Sequence, residues 1–263
     1  MKDVEYSCKT KLLFWSEEMK ILGDYHTHTT FSHGKGTVLE NALAAKKMGL
    51  KEIAIADHGF GHILYGMDKA QVGTLKKQIE LAEAKTGIKI LLGVEANFTG
   101  KGGKIDLTEE ELKLFDVVLV GQHRFVKSSF KDKLCFLLPN MLGFKTKKLR
   151  ELNTQVIVDA MKKYRIDVLT HLKHHMPINL AVVAQMAVET NTLIELNASK
   201  ILFTEEEIKM MVEMGVRFII NSDAHTPEDV GKVKNVLNII EKYGVPALLV
   251  ANLNKTPKFK AEK

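Results

Sequence analysis

The chain has 263 residues, 45% of them hydrophobic, and a net charge of +6, which suits one large globular domain or an α/β barrel with a substantial core. It contains no run of roughly 18 apolar residues, so no membrane-spanning helix is expected, and its first twenty residues are too charged and too interrupted for a signal peptide. Two cysteines, Cys8 and Cys135, form neither a framework nor a CxxC pair, which excludes a disulfide-stapled scaffold and points to reduced thiols in a cytoplasmic protein.

In chain order, short apolar runs alternate with helical patterns. A first strand is predicted over 19–28, ending in His26 and His28, followed by "TFSHG" with His33 and a helix over 37–49 that stops on Gly49. The run "EIAIADHG" predicts a second strand over 52–59 ending in His58, then a helix over 69–87. "KILLGVEAN" predicts a third strand over 89–97 ending in Glu95, and "TEEELKLF" opens a helix at 108–115 with a Thr-x-x-Glu capping box. The fourth strand, 115–123, ends in His123. A helix over 153–164 leads to a fifth strand over 166–172 ending in His171. Strands over 192–199 and 216–225, the latter ending in Asp223 and His225, flank a helix over 204–215. A helix over 227–244 and a last short strand over 244–252 complete the chain. The strands are aliphatic without polar alternation, as parallel strands covered on both faces require. Strand–helix order throughout implies a single domain built as a closed barrel or an open doubly wound sheet.

Segment 124–150 is different. It holds eight basic residues against Asp132 alone, a net +7, so the rest of the chain sums to about −1. It also carries Phe130, Leu134, Phe136, Leu137, Leu138, Met141, Leu142 and Phe144. As a long elaboration after a strand end, it is expected to pack on the barrel rim, to act as a lid drawing anionic substrate inward, or to make a subunit contact.

In a parallel α/β barrel the carboxyl ends of the strands share one face, and that face carries the site. Seven histidines and two carboxylates fall there: His26, His28, His33, His58, Glu95, His123, His171, Asp223 and His225. Nitrogen and oxygen donors without thiolate suit zinc, manganese or iron, and nine exceed what one tetrahedral site needs. Two or three divalent ions with a bridging carboxylate are therefore implied, the apparatus of phosphoester hydrolysis.

The motifs "DYHTHTTFSHG", "ADHG", "GVEAN", "GQH" and "NSDAH", in that order from residue 24 to 225, resemble those of the PHP (polymerase and histidinol phosphatase) superfamily, and most closely its stand-alone bacterial phosphatases and the PHP domain of family X polymerases. The resemblance implies an α/β fold, a distorted (βα)7 TIM-like barrel, with a trinuclear site using metal-activated hydroxide. By motif, it assigns His26, His28, Glu95 and Asp223 to one ion, Glu95, His123 and His171 to a second, and His33, His58 and His225 to a third, with Glu95, Asp223 and His123 closest to catalysis. Asp24 and Asp57 would orient ligand imidazoles, with capping of the loop after the strand as the alternative for Asp57. The family has a proline directly after the histidine matched to His171; here the text is "THLKHH", which leaves His174 and His175 as alternatives. His62, Arg124, Lys101 and Lys104 would face the site: any of the cations could pair with phosphate, though each lysine taken alone fits solvated surface better, and His62 could contact substrate or be a plain loop histidine. The implied activity is hydrolysis of a small phosphorylated substrate, a phosphomonoester of the histidinol phosphate kind. The alternatives are a nuclease or 3′-phosphatase on nucleic acid ends and a non-catalytic metal-binding domain. An oligomer is compatible with all of them.

Overall fold

The computed structural model describes residues 19–260; the readings of the N-terminus and of Cys8 fall outside these residues. Seven parallel strands follow one another around a nearly closed barrel: β1 (Gly23–Thr27), β2 (Glu52–Ile55), β3 (Lys89–Gly100), β5 (Val117–Gly121), β6 (Val168–Leu169), β7 (Leu193–Asn197) and β8 (Phe218–Asn221). A two-residue strand, β4 (Lys104–Ile105), folds back antiparallel on the extended end of β3. The last strand meets the first through Thr27 and Ala224, where His28 N–H donates to Ala224 O at 2.8 Å and Ala224 N–H donates to His26 O at 3.2 Å. The expected barrel is the one observed.

Two apolar clusters hold it together. The larger lies between the strands and the surrounding helices. The smaller, with Tyr25, Ala54, Leu91, Leu119, Leu193 and Ile219, fills the inside of the barrel. Because side chains alternate along a strand, the inner positions can be followed upward from this plug. Ala54 and Ala56 lead to His58, Leu91 to Glu95, Leu119 to His123, Leu193 to Glu195 and Ile219 to Asp223. The inside of the barrel is thus apolar at its base and polar at its carboxyl end. In β1 a register shift between Asp24 and Thr27 inserts one residue. Such a bulge re-aims side chains, and here Tyr25 joins the inner plug while His26 and His28 reach the polar end.

Helices cover the outside: α1 (Val38–Lys47), α2 (Val72–Thr86), α3 (Glu109–Leu112), α6 (Lys147–Lys163), α7 (Leu180–Thr190), α8 (Glu205–Glu213) and α9 (Lys234–Lys242). The expected capping box at Thr108 is formed, and others are present at Thr37 and Thr204. Four expectations differ from the structure. Helix α6 begins at a Thr146 cap, not near 153, because Leu149 is buried and pulls the basic stretch into the helix. Helix α7 is absent from the sequence reading; its mixed apolar text lacks polar contrast, and its bounds are set by Asn179 at one end and a left-handed Asn191 at the other. The region 227–244 is divided by Gly231, at φ 73°, into a 3₁₀ turn (Pro227–Asp229) and α9. Residues 244–252 form a 3₁₀ turn (Ala247–Leu249) with a single bridge, Phe218 to Val250, instead of a strand.

The insertion after β5 is ordered. It runs through α4 (Phe130–Asp132), a π-helical turn (Lys133–Leu137) and α5 (Leu138–Met141). Asp132 pins it to the β3–β4 hairpin by accepting from Lys101 N at 3.2 Å and Lys104 Nζ at 3.0 Å. Asn140 and Asn153 exchange amide hydrogen bonds of 2.9 and 2.8 Å beneath it. No helix among the described residues is long and apolar enough to cross a membrane.

Candidate metal centre

Glu95 occupies the centre of the carboxyl end and is 1% exposed. Its Oε1 lies 2.8 Å from His171 Nε2 and 3.3 Å from both His26 Nε2 and His123 Nε2. Its Oε2 lies 2.9 Å from His58 Nδ1 and 3.6 Å from His28 Nε2. Asp223 Oδ1 stands 3.5 Å from the Nε2 atoms of both His26 and His28. Asp223 holds φ 58°, a left-handed conformation that costs a non-glycine residue about 1–3 kcal/mol and is maintained only where its surroundings demand it. His33 stacks on His58 at 4.8 Å and meets His225 edge-on at 4.3 Å between ring centroids. All nine sequence-predicted residues therefore gather at one place.

Among the described residues, potential donor atoms form three overlapping groups: His26, His28 and Glu95; His58, Glu95 and His123; and His28, His58 and His225. His58 thus belongs to two groups, one of which contains Glu95 and His123, where the motif assignment had put it with His33 and His225 alone. His171, not His174 or His175, touches Glu95. His171 has φ 29°, and the turn that follows holds Lys173 and His175 at φ 74° and 54°. This contorted turn carries His174 and His175 past Glu95 to the wall of the cavity.

The test of whether these residues fit metal ions lies in their unpaired atoms. His26 Nε2, His28 Nδ1 and Nε2, His33 Nδ1, His58 Nδ1 and His171 Nδ1 are buried and make no hydrogen bond. Each such orphan costs about 1–3 kcal/mol, and several converge on two carboxylates. Burial opposes the charge on Glu95, but His123, His26 and His58 outweigh it and hold the carboxyl well below its usual range. Asp223 is likewise well below, against its burial, through His26, His28 and Lys200. Burial lowers His28 well below and His123 below the ordinary imidazole value, the direction that favours the neutral, ion-binding form of the ring. For His26, burial is overcome by Glu95, Glu195 and Asp223, and its value is raised well above the ordinary one. Nitrogen and oxygen donors, two anionic and several neutral, fit divalent ions.

Asp24 does not orient an imidazole as expected, and Asp57 takes the alternative, loop-fixing role. Asp24 accepts from Ser222 N at 3.1 Å and Gly231 N at 2.9 Å and ties β1 to the loop after β8, touching no imidazole ring. Asp57 accepts from Thr29 N at 2.7 Å and from the hydroxyls of Thr29 and Ser32, and so fixes the loop carrying His33; His28 Nδ1 is 3.9 Å away. The orienting role belongs to Glu195, which pairs with His26 Nδ1 at 2.7 Å, and to Asn97, whose Oδ1 lies 2.7 Å from His123 Nδ1. Asn97 is held in turn by Asp106, which accepts from its side-chain amide at 2.6 Å. The sequence signal for Glu195 was a lone acid on the inner face of an apolar strand.

Around the cluster, Lys200 donates to Asp223 Oδ2, a contact the sequence did not suggest. Arg124 lines the cavity 3.5 Å from His175. Lys104 turns its Nζ to Asp132 and so anchors the insertion, which Lys101 holds through its backbone N–H; neither lines the cavity of the cluster. His62 stacks on His58 at 5.0 Å and accepts from Tyr65 N at 3.1 Å. Burial and the neighbouring His58 push it down to about 3. Tyr65, not singled out in the sequence, stacks on His33 at 4.5 Å. Lys145, Lys147 and Lys148 are exposed and line no part of the cavity.

The PHP domain model matches residues 24–200. A probable phosphatase of Thermoanaerobacter sp. (strain X514) is 33% identical over 249 residues, covering 89% of this chain and 91% of its own. A probable phosphatase of Caldanaerobacter subterraneus subsp. tengcongensis is 32% identical over 263 residues, covering 94% and 93%. Among solved structures, a histidinol phosphate phosphatase of Lactococcus lactis, complexed with zinc, L-histidinol and phosphate, superposes with a TM-score of 0.60 at 16% identity, over 92% of this chain and 97% of that one. At that identity the likeness concerns the fold.

Proposed function

The chain belongs to the PHP domain family, and from that premise we propose that it is a metal-dependent phosphomonoesterase working through two or three divalent ions. Residues 1–263 are read as one phosphoesterase domain, with 124–150 as its insertion. The observation that carries the proposal is the convergence of buried imidazole nitrogens, several of them making no hydrogen bond, on Glu95 and Asp223. The relatives named as phosphatases supply the reaction class.

His26, His28, Glu95 and Asp223 would hold one ion, Glu95, His123 and His171 a second, and His33, His58 and His225 a third, with His58 near enough to Glu95 and His123 to serve the second ion instead. Zinc, manganese and iron all suit this donor set. Ions bound there supply Lewis-acid charge for the phosphoryl oxygens and acidify a water. The protein's own contribution is orientation and charge. The Nδ1 proton of His26 is donated to Glu195, so Nε2, facing Glu95 and Asp223, is the nitrogen that would give up its proton to an ion. A proton on His123 Nδ1, donated to Asn97, leaves Nε2 of that ring as the free lone pair. His225 Nδ1 has the backbone carbonyl of Asp223 at 2.9 Å. Arg124 and Lys200 put positive charge at the mouth, where the phosphate dianion enters. Asp223, next to Lys200 and close to His225, is the group placed to pass a proton on.

The test is Glu95→Gln. It should lower turnover of a generic phosphomonoester more than loss of any single histidine, and metal content should fall with it. A variant that keeps full metal content and near-normal turnover contradicts the assignment.

A further inference from the structure

Next to the metal cluster lies a second chamber, a cavity of about 290 Å³. Its walls include Ile63, Phe125, Leu134, Leu137, Leu138 and Met141. Four of these fall at i, i+3, i+4 and i+7 along the insertion, the spacing of one helical face. The opposite side of the same segment is nailed down by fully buried Phe136 and by the Asn140–Asn153 pair. The apolar stripe is therefore a fixed wall that does not close on itself: Leu134 is 50% exposed, Leu138 38% and Met141 36%. The chamber shares Gln122, His123, Arg124, Phe125 and His175 with the cavity of the histidine cluster, so the two are continuous. Gln122 Oε1, at this junction, is a buried acceptor without a partner.

We propose that this chamber receives the organic part of the ester, and that the substrate is a phosphomonoester of an apolar alcohol or phenol, with an aryl or medium-length alkyl group. The proposal rests on the phosphatase reading above and specifies its substrate class. The phosphate sits over the cluster, Arg124 pairs with it at the neck, and the apolar group extends between Phe125 and the Leu134–Met141 stripe. A cationic leaving group would meet Arg124 and Lys133, which line the same chamber. In the reaction, water oxygen forms a new P–O bond, the ester P–O bond breaks, and the departing alcohol takes a proton, leaving inorganic phosphate.

The metal-loaded full chain is assayed on n-alkyl phosphates from methyl to octyl, with phenyl and 2-naphthyl phosphate, glycerol phosphate and histidinol phosphate beside them. Burial of each methylene should raise kcat/KM about fourfold until the chamber is full. In Leu134→Asp and Met141→Glu, both at partly exposed positions, that dependence on length should flatten. Alkylphosphonates, titrated calorimetrically onto the metal-loaded chain, should bind with the same length dependence, a readout that does not need turnover. Hydrolysis of all esters with equal kcat/KM, preference for glycerol or histidinol phosphate, or a length dependence that survives both variants overturns the proposal. So does a concentration-dependent dimer that dissociates in Leu134→Asp, since a second copy would then cover the stripe. If no ester is hydrolysed by metal-loaded protein, the phosphatase reading fails, while the phosphonate binding series still reports on the chamber.

Discussion

Glu195→Gln is the substitution whose cost can be worked most fully from the geometry. Glu195 is fully buried and accepts four hydrogen bonds. Oε1 takes His26 Nδ1 at 2.7 Å and Asn221 Nδ2 at 2.9 Å, while Oε2 takes His171 N and Asn197 Nδ2, each at 2.9 Å. A carboxylate has acceptor sites for all four, whereas a glutamine amide accepts only on one side. Either amide orientation sets an NH₂ against two donors. Two buried donors lose their acceptor at about 1–3 kcal/mol each, so the metal-free protein should lose about 2–6 kcal/mol. For a chain of this size that is a fall in Tm of roughly 5–20 °C. If the NH₂ faces His26, the proton must leave Nδ1 for Nε2, the nitrogen aimed at Glu95 and Asp223. If it faces His171 N–H, the turn carrying that ring is disturbed. Loss of such an orienting partner typically costs 10–100-fold in metal affinity. The assay pairs thermal melts in chelator with metal content measured after equilibration in buffered free zinc or manganese. A variant that melts within a degree or two of the parent and binds metal equally well would refute the reasoning.

Two other perturbations follow from the same geometry. Gly121 lies beneath two of the proposed ligands, and a Cβ there would stand 2.8 Å from His171 Cε1 and 3.2 Å from Thr170 Oγ1; Gly121→Ala should displace the His171 ring and lower metal affinity about tenfold or more, and an unchanged affinity in a metal-buffered titration would contradict this. Asp106, raised by burial to about 6 from 3.8, stabilises the fold fully below its unfolded value, and that contribution is lost as pH rises through about 6, up to ~3 kcal/mol. Asp106→Asn removes this dependence, so the variant's deficit in Tm should be larger at pH 4 than at pH 7; a deficit constant over that range would show that Asp106 titrates normally.

The positions of the histidines were legible because a parallel barrel converts strand ends into one surface. Each of His58, Glu95, His123 and Asp223 could be counted along its own strand from the apolar plug. His26 and His28 were legible as residues, but not the bulge that turns them inward, since a one-residue insertion leaves no mark in an apolar run. The orienting groups were not legible for a related reason. Asp24 and Asp57 stand beside the ligands in sequence, yet their carboxylates tie loops together, while Glu195 and Asn97 approach from other strands. Lys104 shows the same limit: a loop's place on the active face does not say which way its side chains turn, and this one serves Asp132. The insertion read as basic and apolar, but only its fold reveals that the lysines at 145, 147 and 148 lie on the surface while the leucines at 134, 137 and 138 wall a chamber.

The central claim is that this cluster holds divalent ions and that hydrolysis depends on them. It is tested most directly by stripping the protein with chelator, verifying the metal content, and titrating zinc or manganese back while recording bound ions per chain and turnover of a phosphomonoester in parallel. The account predicts no turnover in the stripped protein and recovery that follows occupancy, completed at two or three ions per chain. Full turnover at verified zero metal, or complete loading of the cluster with no phosphomonoester hydrolysed, would contradict it.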